Sequence, residues 1–187
     1  VLDVGCGPGH ATLFCANRGA HVTFTDVVAE SIADLETKVR NQGTARGFKG
    51  IVCDSDPLLV PDGKATRVVC QEVLEHVKDP DRVLAELVRA GQPGALYLIT
   101  VPAEQGEKIQ ERFAPPMYFQ HPNHIRIFSK DEFVSTVQKS GLELISYTPY
   151  GFYWFFGMCM HWAIQAAQIF QCNKYRQLPC GRKRQRG

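Results

Sequence analysis

The apolar residues of this chain fall into two rhythms, the short runs of strands and the spaced stripes of helices. Val1, Leu2 and Val4 suit a buried parallel strand, and they run straight into the turn Gly5-Cys6-Gly7-Pro8-Gly9. His10 to Arg18 then carries Leu13, Phe14 and Ala16 on one face, which predicts a helix. His21 to Asp26 alternates and is rich in strand-forming residues, so it predicts the second strand. Ala29 to Gln42 sets Ile32, Leu35 and Val39 on a helical stripe that stops at Gly43. Lys49 to Cys53 and Thr66 to Cys70 predict strands three and four. Pro80 to Arg89 predicts a helix with Val83, Leu84 and Leu87 inward. Gly91 to Gly94 reads as a turn and Ala95 to Val101 as a fifth, apolar strand. Ser129, with Glu132 at the capping-box position, starts a helix packed through Phe133, Val137 and Leu142, and Glu143 to Thr148 follows as a sixth strand. Strand and helix in alternation predict an α/β fold: a doubly wound, mostly parallel sheet with right-handed crossovers and helices on both faces.

The stretch from Ala103 to Asn123 is a long, proline-containing connection, the kind that serves as a lid or binding loop. A chain of 187 residues suffices for one domain with a sizeable core. Its seven cysteines show no Cys-x-x-Cys pair, and Cys6, Cys53 and Cys70 lie in or beside predicted core strands. They read as reduced thiols of a cytoplasmic protein. The net charge of +2 conceals an asymmetry, because residues 1–147 carry fifteen basic and nineteen acidic side chains. The six remaining basic groups, from Lys174 to Arg186, lie in the tail. A mildly acidic body argues against a nucleic-acid partner.

Between body and tail, residues 148–173 carry no charged side chain and include Phe152-Tyr153-Trp154-Phe155-Phe156. Met158 to Phe170 can form a helix, but His161, Gln165, Gln168 and Gln171 interrupt what would otherwise be a membrane span. This segment reads as core or a last strand, as peripheral contact with the inner face of a membrane aided by the basic tail, or as a protein interface. The chain is thus divided into a domain at 1–150, an apolar aromatic segment at 151–173 and a basic tail at 174–187.

Three nucleotide-handling loops resemble the opening turn, and spacing separates them. A phosphate loop requires Lys-Ser or Lys-Thr after its last glycine, which is lacking here. The dinucleotide fingerprint requires glycine or alanine where this chain has His10, which argues against NAD. An acidic residue, Asp3, two before Gly5-x-Gly7-x-Gly9 resembles motif I of the class I S-adenosylmethionine-dependent methyltransferases. Further stretches extend the resemblance over roughly residues 1–150. Asp54-Ser55 with the following Leu-Val-Pro-Asp-Gly, Val73-Leu74-Glu75-His76-Val77, and His124-Ile125-Arg126-Ile127-Phe128-Ser129 all look like segments of that family.

The resemblance implies a Rossmann-like sheet of about seven strands with S-adenosylmethionine across its carboxyl edge. Gly5, Cys6, Gly7 and Gly9 would approach the cofactor, and Asp3 would order its methionine end together with Gln71. Asp26 and Val27 would meet the ribose. Asp54 would meet the adenine, between Cys53 and Ser55. Glu72, Glu75 and His76 stand at i, i+3 and i+4, so on a helix they share one face. This Glu-x-x-Glu-His pattern resembles the ubiquinone-biosynthesis O-methyltransferases, whose matching residues bind magnesium, and the resemblance implies an Mg2+ site. Alternatively His76 acts as a metal-free general base, with Glu72 and His124 beside it. The implied acceptor is a small molecule methylated on oxygen, a phenol, catechol or lipid-like quinone precursor. Two other readings stay open: a catalytically silent S-adenosylmethionine-binding domain, and a membrane-peripheral scaffold acting through residues 148–187. The lack of an initiator methionine reads as a fragment, since helices that cover the substrate precede this strand in the family.

Overall fold

The computed structural model describes residues 1–112, 114–149 and 160. The apolar aromatic segment and the basic tail therefore lie, apart from Met160, outside the described residues. Five strands, β1 (Leu2–Val4), β2 (His21–Asp26), β3 (Gly47–Val52), β4 (Ala65–Gln71) and β5 (Gly91–Thr100), form one sheet in the order β3-β2-β1-β4-β5. Every pairing is parallel. The order reverses between β1 and β4, where Val4 pairs with Cys70, and the crevice of such a sheet opens there at the carboxyl ends.

The five helices are α1 (His10–Ala16), α2 (Ala29–Gln42), α3 (Pro80–Ala90), α4 (Glu104–Gln110) and α5 (Lys130–Lys139). Their apolar stripes fill two cores, one on each face of the sheet. Leu2 and Val4 of β1 point with Val68 and Cys70 of β4 toward α3 and α5, meeting Leu84, Leu87, Phe133 and Val137. Val22 and Phe24 of β2 point the other way, onto Ala16 of α1 and Ile32, Leu35 and Val39 of α2. Local signals set the helix ends. Asp79 caps α3, its carboxylate accepting from the Arg82 N–H at 3.1 Å, with Pro80 at the first turn. Ser129 caps α5, accepting from the Glu132 N–H at 3.2 Å.

Four expectations need correction. Gly91 to Gly94 belongs to β5 rather than to a separate turn, because Ala65 pairs with Gly91 and the register slips before Arg67 meets Leu96. The connection from Ala103 to Asn123 contains α4 and a 3-10 turn at Pro116–Phe119. Glu143 to Thr148 forms no strand, and five strands replace the seven expected, counted among the described residues. Leu144 and Ile145 are correspondingly exposed, and among the described residues β5 is an edge of the sheet. Finally, Gln71 to Val77 is not helical: β4 ends at Gln71, Glu72 takes a positive φ of 55°, and turns follow. A residue in the left-handed region breaks a right-handed helix.

Candidate active site at the carboxyl edge of the sheet

The chain leaves β1 through a turn whose three glycines do different work. A side chain at Gly5 would run into Val73 Cγ2 at 2.4 Å, and one at Gly9 into Leu35 Cδ1 at 2.2 Å. Close packing against the segment after β4 and against α2 thus requires glycine at both. Gly7 meets nothing within 4 Å and has φ +46°, so its backbone borders open space. It is the glycine on which a ligand can lie.

Asp26, at the end of β2, ties this turn in place. Its Oδ2 accepts from the Gly7 N–H at 2.8 Å and its Oδ1 from the Val28 N–H at 2.9 Å. Each oxygen keeps a second lone pair for an incoming hydroxyl. Beside it Val27, Val28 and Val52 leave an apolar patch exposed. Asp3 is buried, faces α1 and accepts from the Thr12 hydroxyl at 2.6 Å, while burial raises its carboxyl above the ordinary range. Its contact braces α1 beneath the turn. Burial also pushes the Cys6 thiol up to about 12, so it stays protonated. At the end of β3, Cys53 is half-buried, and Asp54 Oδ1 accepts from the Ser55 N–H at 2.6 Å and its hydroxyl at 3.2 Å. Gln71 is half-buried where β4 ends.

The segment after β4 and the chain after α4 build a second group of side chains. Ile125 donates its N–H to the Glu75 carbonyl at 2.9 Å, which pins the two stretches together. One ligand atom from each of Glu75, His76 and His124 then lies within 4.8 Å of the others, and the two imidazoles meet edge to face at 4.8 Å. Glu75 is 1% exposed, and neither of its carboxyl oxygens has a hydrogen-bond partner. Burial, reinforced by repulsion from Glu72 and Glu107, pushes this carboxyl up to about 8. His76 Nδ1 lies 3.2 Å from the Pro122 carbonyl, which only accepts, so that nitrogen carries the proton. His124 Nδ1 meets the buried Glu107 carboxylate at 2.5 Å. Tyr118 and Phe119 flank the His124 ring, and burial raises the Tyr118 phenol.

The trio thus differs from the expected Glu72, Glu75 and His76. Thr100, at the end of β5, donates its hydroxyl to Glu72 Oε1 at 2.9 Å, and His124 stands in the trio instead. One carboxylate and two imidazoles are not the all-oxygen octahedron that magnesium prefers, so these residues do not fit Mg2+. Three contributors escaped sequence reasoning: Glu107, Thr100 and Thr12. Only Glu107 left a signal there, the three-residue spacing of Glu104, Glu107 and Gln110 that marks a helix inside a supposed loop. His121 remains exposed outside the cluster.

A parallel sheet reversing at β1/β4, with a glycine turn and an acidic residue ending β2, has the architecture of an α/β domain that binds a nucleotide-containing cofactor. The chain belongs to the class I S-adenosylmethionine-dependent methyltransferase family: the family model described as "Methyltransferase domain" matches residues 1–147. Among similar proteins, the ubiquinone biosynthesis O-methyltransferase of Aeromonas salmonicida is 33% identical over 100 residues, 54% of this chain and 42% of that protein. Its counterpart in Pseudomonas aeruginosa strain UCBPP-PA14 is 34% identical over 102 residues, again 54% of this chain and 44% of the relative. The chain spans less than half the length of either. Two solved structures share the fold. A methyltransferase-like protein of Bacillus halodurans C-125 superposes with a TM-score of 0.66 at 18% identity, covering 78% of this chain and 63% of that one. The [4+2]-cyclase SpnF superposes with a TM-score of 0.63 at 22% identity, covering 78% and 51%.

Proposed function

We propose that the chain binds S-adenosylmethionine along the carboxyl edge of the sheet and transfers its methyl group to an oxygen of a small phenolic, catecholic or quinone-precursor acceptor. The observation that carries this reading is the buried, unpartnered Glu75 carboxyl between two oriented imidazoles, adjacent to the glycine turn through the Gly5–Val73 contact. A phenolic hydroxyl must lose its proton as it is methylated, and this cluster is where a proton acceptor stands. The acceptor oxygen attacks the methyl carbon in line and the carbon–sulfur bond breaks. Its electron pair stays on sulfur, giving S-adenosylhomocysteine, and the hydroxyl proton leaves toward the Glu75–His76–His124 cluster.

For the cofactor, the open backbone at Gly7 suits the methionine and ribose moieties, Asp26 the ribose hydroxyls, and the Val27–Val28–Val52 patch a flat base. Asp54 keeps an oxygen for an exocyclic amine. The likeness to two ubiquinone biosynthesis O-methyltransferases favours an O-linked acceptor, and Tyr118 and Phe119 supply an aromatic wall for a planar ring. The rival is a cofactor-binding domain that transfers no methyl group; a protein titled a [4+2]-cyclase has the same fold. Incubating the purified chain with S-adenosylmethionine and a set of phenols and catechols separates the two. Acceptor-dependent release of S-adenosylhomocysteine is expected. Cofactor binding with no release for any oxygen acceptor would contradict the proposal.

A further inference from the structure

We propose that Glu107 is a positioning residue that makes His124 the base of the cluster, so that the acceptor hydroxyl gives its proton to His124 Nε2 rather than to His76. The inference deepens the proposed methyl transfer and rests on that reading for the identity of the proton. Geometry separates the two imidazoles. His124 Nδ1 stands 2.5 Å from Glu107 Oε2, and a carboxylate only accepts, so the proton sits on Nδ1 and Nε2 keeps its lone pair. His76 Nδ1 meets a neutral carbonyl, that of Pro122 at 3.2 Å, and its Nε2 lies 3.8 Å from Glu75 Oε1.

Charge then decides between them. An imidazole that takes up a proton becomes a cation, and a buried carboxylate behind it stabilises that cation as a neutral carbonyl does not. Glu107 is 3% exposed, and Gln110, three residues further along α4, donates from Nε2 to the other Glu107 oxygen at 3.3 Å. The carboxylate is thereby fixed at both oxygens. The His124 ring is held from its backbone as well. Its N–H donates to the Tyr118 carbonyl at 3.2 Å, and the N–H of Ile125, the next residue, donates to the Glu75 carbonyl at 2.9 Å. The His76 side chain is more solvated, 35% exposed against 15% for His124. In the step, the acceptor O–H bond breaks toward His124 Nε2 as the oxygen bonds the methyl carbon, and the carbon–sulfur electron pair stays on sulfur. The imidazolium so formed keeps Nδ1–H on Glu107 and then passes the Nε2 proton to water.

Two readouts on the purified chain test this, one of them independent of turnover. Long-range proton–nitrogen NMR of isotope-labelled protein reads the tautomer of each histidine. His124 should carry its proton on Nδ1, in a far-downfield signal that moves upfield in Glu107→Gln. A proton on Nε2 in the parent would overturn the proposal. Turnover of an oxygen acceptor is the second readout, and kcat should fall on the order of 10²–10⁴-fold in His124→Gln and by less in His76→Gln. Glu107→Gln should lower kcat about tenfold or more while the KM for S-adenosylmethionine stays within about twofold of the parent. Glu107→Asp, which restores the charge, should be faster than Glu107→Gln; a residue needed only for its shape would give the opposite order, because glutamine is the closer match in size. S-adenosylmethionine binding checks that each variant is folded, and where Glu107→Gln does not fold, the parent spectrum and His124→Gln decide. Equal losses in His76→Gln and His124→Gln, or parental kcat in Glu107→Gln, would overturn the assignment and leave methyl transfer standing. A parent that turns over no oxygen acceptor removes the methyl-transfer reading, and the base with it, whatever tautomer the spectrum shows.

Discussion

At the scale of single residues, Asp26 and Gly7 form one device, because the carboxylate that would receive ribose hydroxyls also holds the glycine turn by its backbone. Asp26→Ala removes both functions and should weaken S-adenosylmethionine binding by more than Glu72→Ala, whose carboxylate accepts from the Thr100 hydroxyl away from the glycine turn. Titration calorimetry of the two variants checks this, and equal losses would reverse the assignment. The glycines separate stability from binding. At Gly9 a methyl group collides with Leu35, so Gly9→Ala should cost about 1–3 kcal/mol of stability. At Gly7 a methyl meets no atom and costs about 1–2 kcal/mol in backbone strain. Its larger effect should be on cofactor affinity, which should fall roughly tenfold or more, since it fills the space the ligand needs. Thermal melts and cofactor titrations of the pair distinguish the roles.

Among the elements, α3 holds the loop that leads from β3 to β4. Arg89 grips Glu86 through two bonds of 2.8 Å, donates to the Leu58 and Val60 carbonyls at 2.8 and 3.0 Å, and contacts Asp62. The Arg89 guanidinium holds the Glu86 carboxyl below its ordinary value of 4.5. A carboxyl depressed in the folded state binds its proton more readily in the unfolded chain. Its stabilisation is therefore present above pH 4.5 and is lost as pH falls through the depressed folded value. Denaturant midpoints measured from pH 7 downward should fall less steeply on the acid side for Glu86→Gln than for the parent. On the inner face, Leu87→Ala empties a fully enclosed site and should cost about 2–5 kcal/mol, readable in the same titrations.

These elements were legible where periodicity and end signals agreed. Ile32, Leu35 and Val39 with Gly43 gave α2 its bounds, and Pro80 after Asp79 gave α3 its start. Legibility failed where tertiary pairing overrules local chemistry. Gly91 to Gly94 looks like a turn, yet the neighbouring strand draws it into the ladder. Glu72, Glu75 and His76 look like a helical face, yet a left-handed residue reshapes the stretch.

For the whole molecule, the site is assembled by topology rather than by any one motif. The glycine turn, the end of β2 and the segment after β4 were readable one by one, and the sheet order places them on one edge. The meeting of His124 and Glu107 with Glu75 depends on a helix and a fold-back over Ala103 to Asn123 that composition disguised as loop. Among the described residues no helix is long and apolar enough to cross a membrane. Membrane contact through residues 148–187 stays a separate proposal, tested by liposome co-sedimentation with and without that segment. Equal pelleting would contradict it.

The central claim is that this edge is an S-adenosylmethionine site, and calorimetric titration of the purified chain tests it most directly. With S-adenosylmethionine and NAD offered separately, the account predicts saturable one-to-one binding of the first, weakened in Asp26→Ala, and no binding of the second. Saturable binding of NAD, or S-adenosylmethionine binding that Asp26→Ala leaves unchanged, would contradict it.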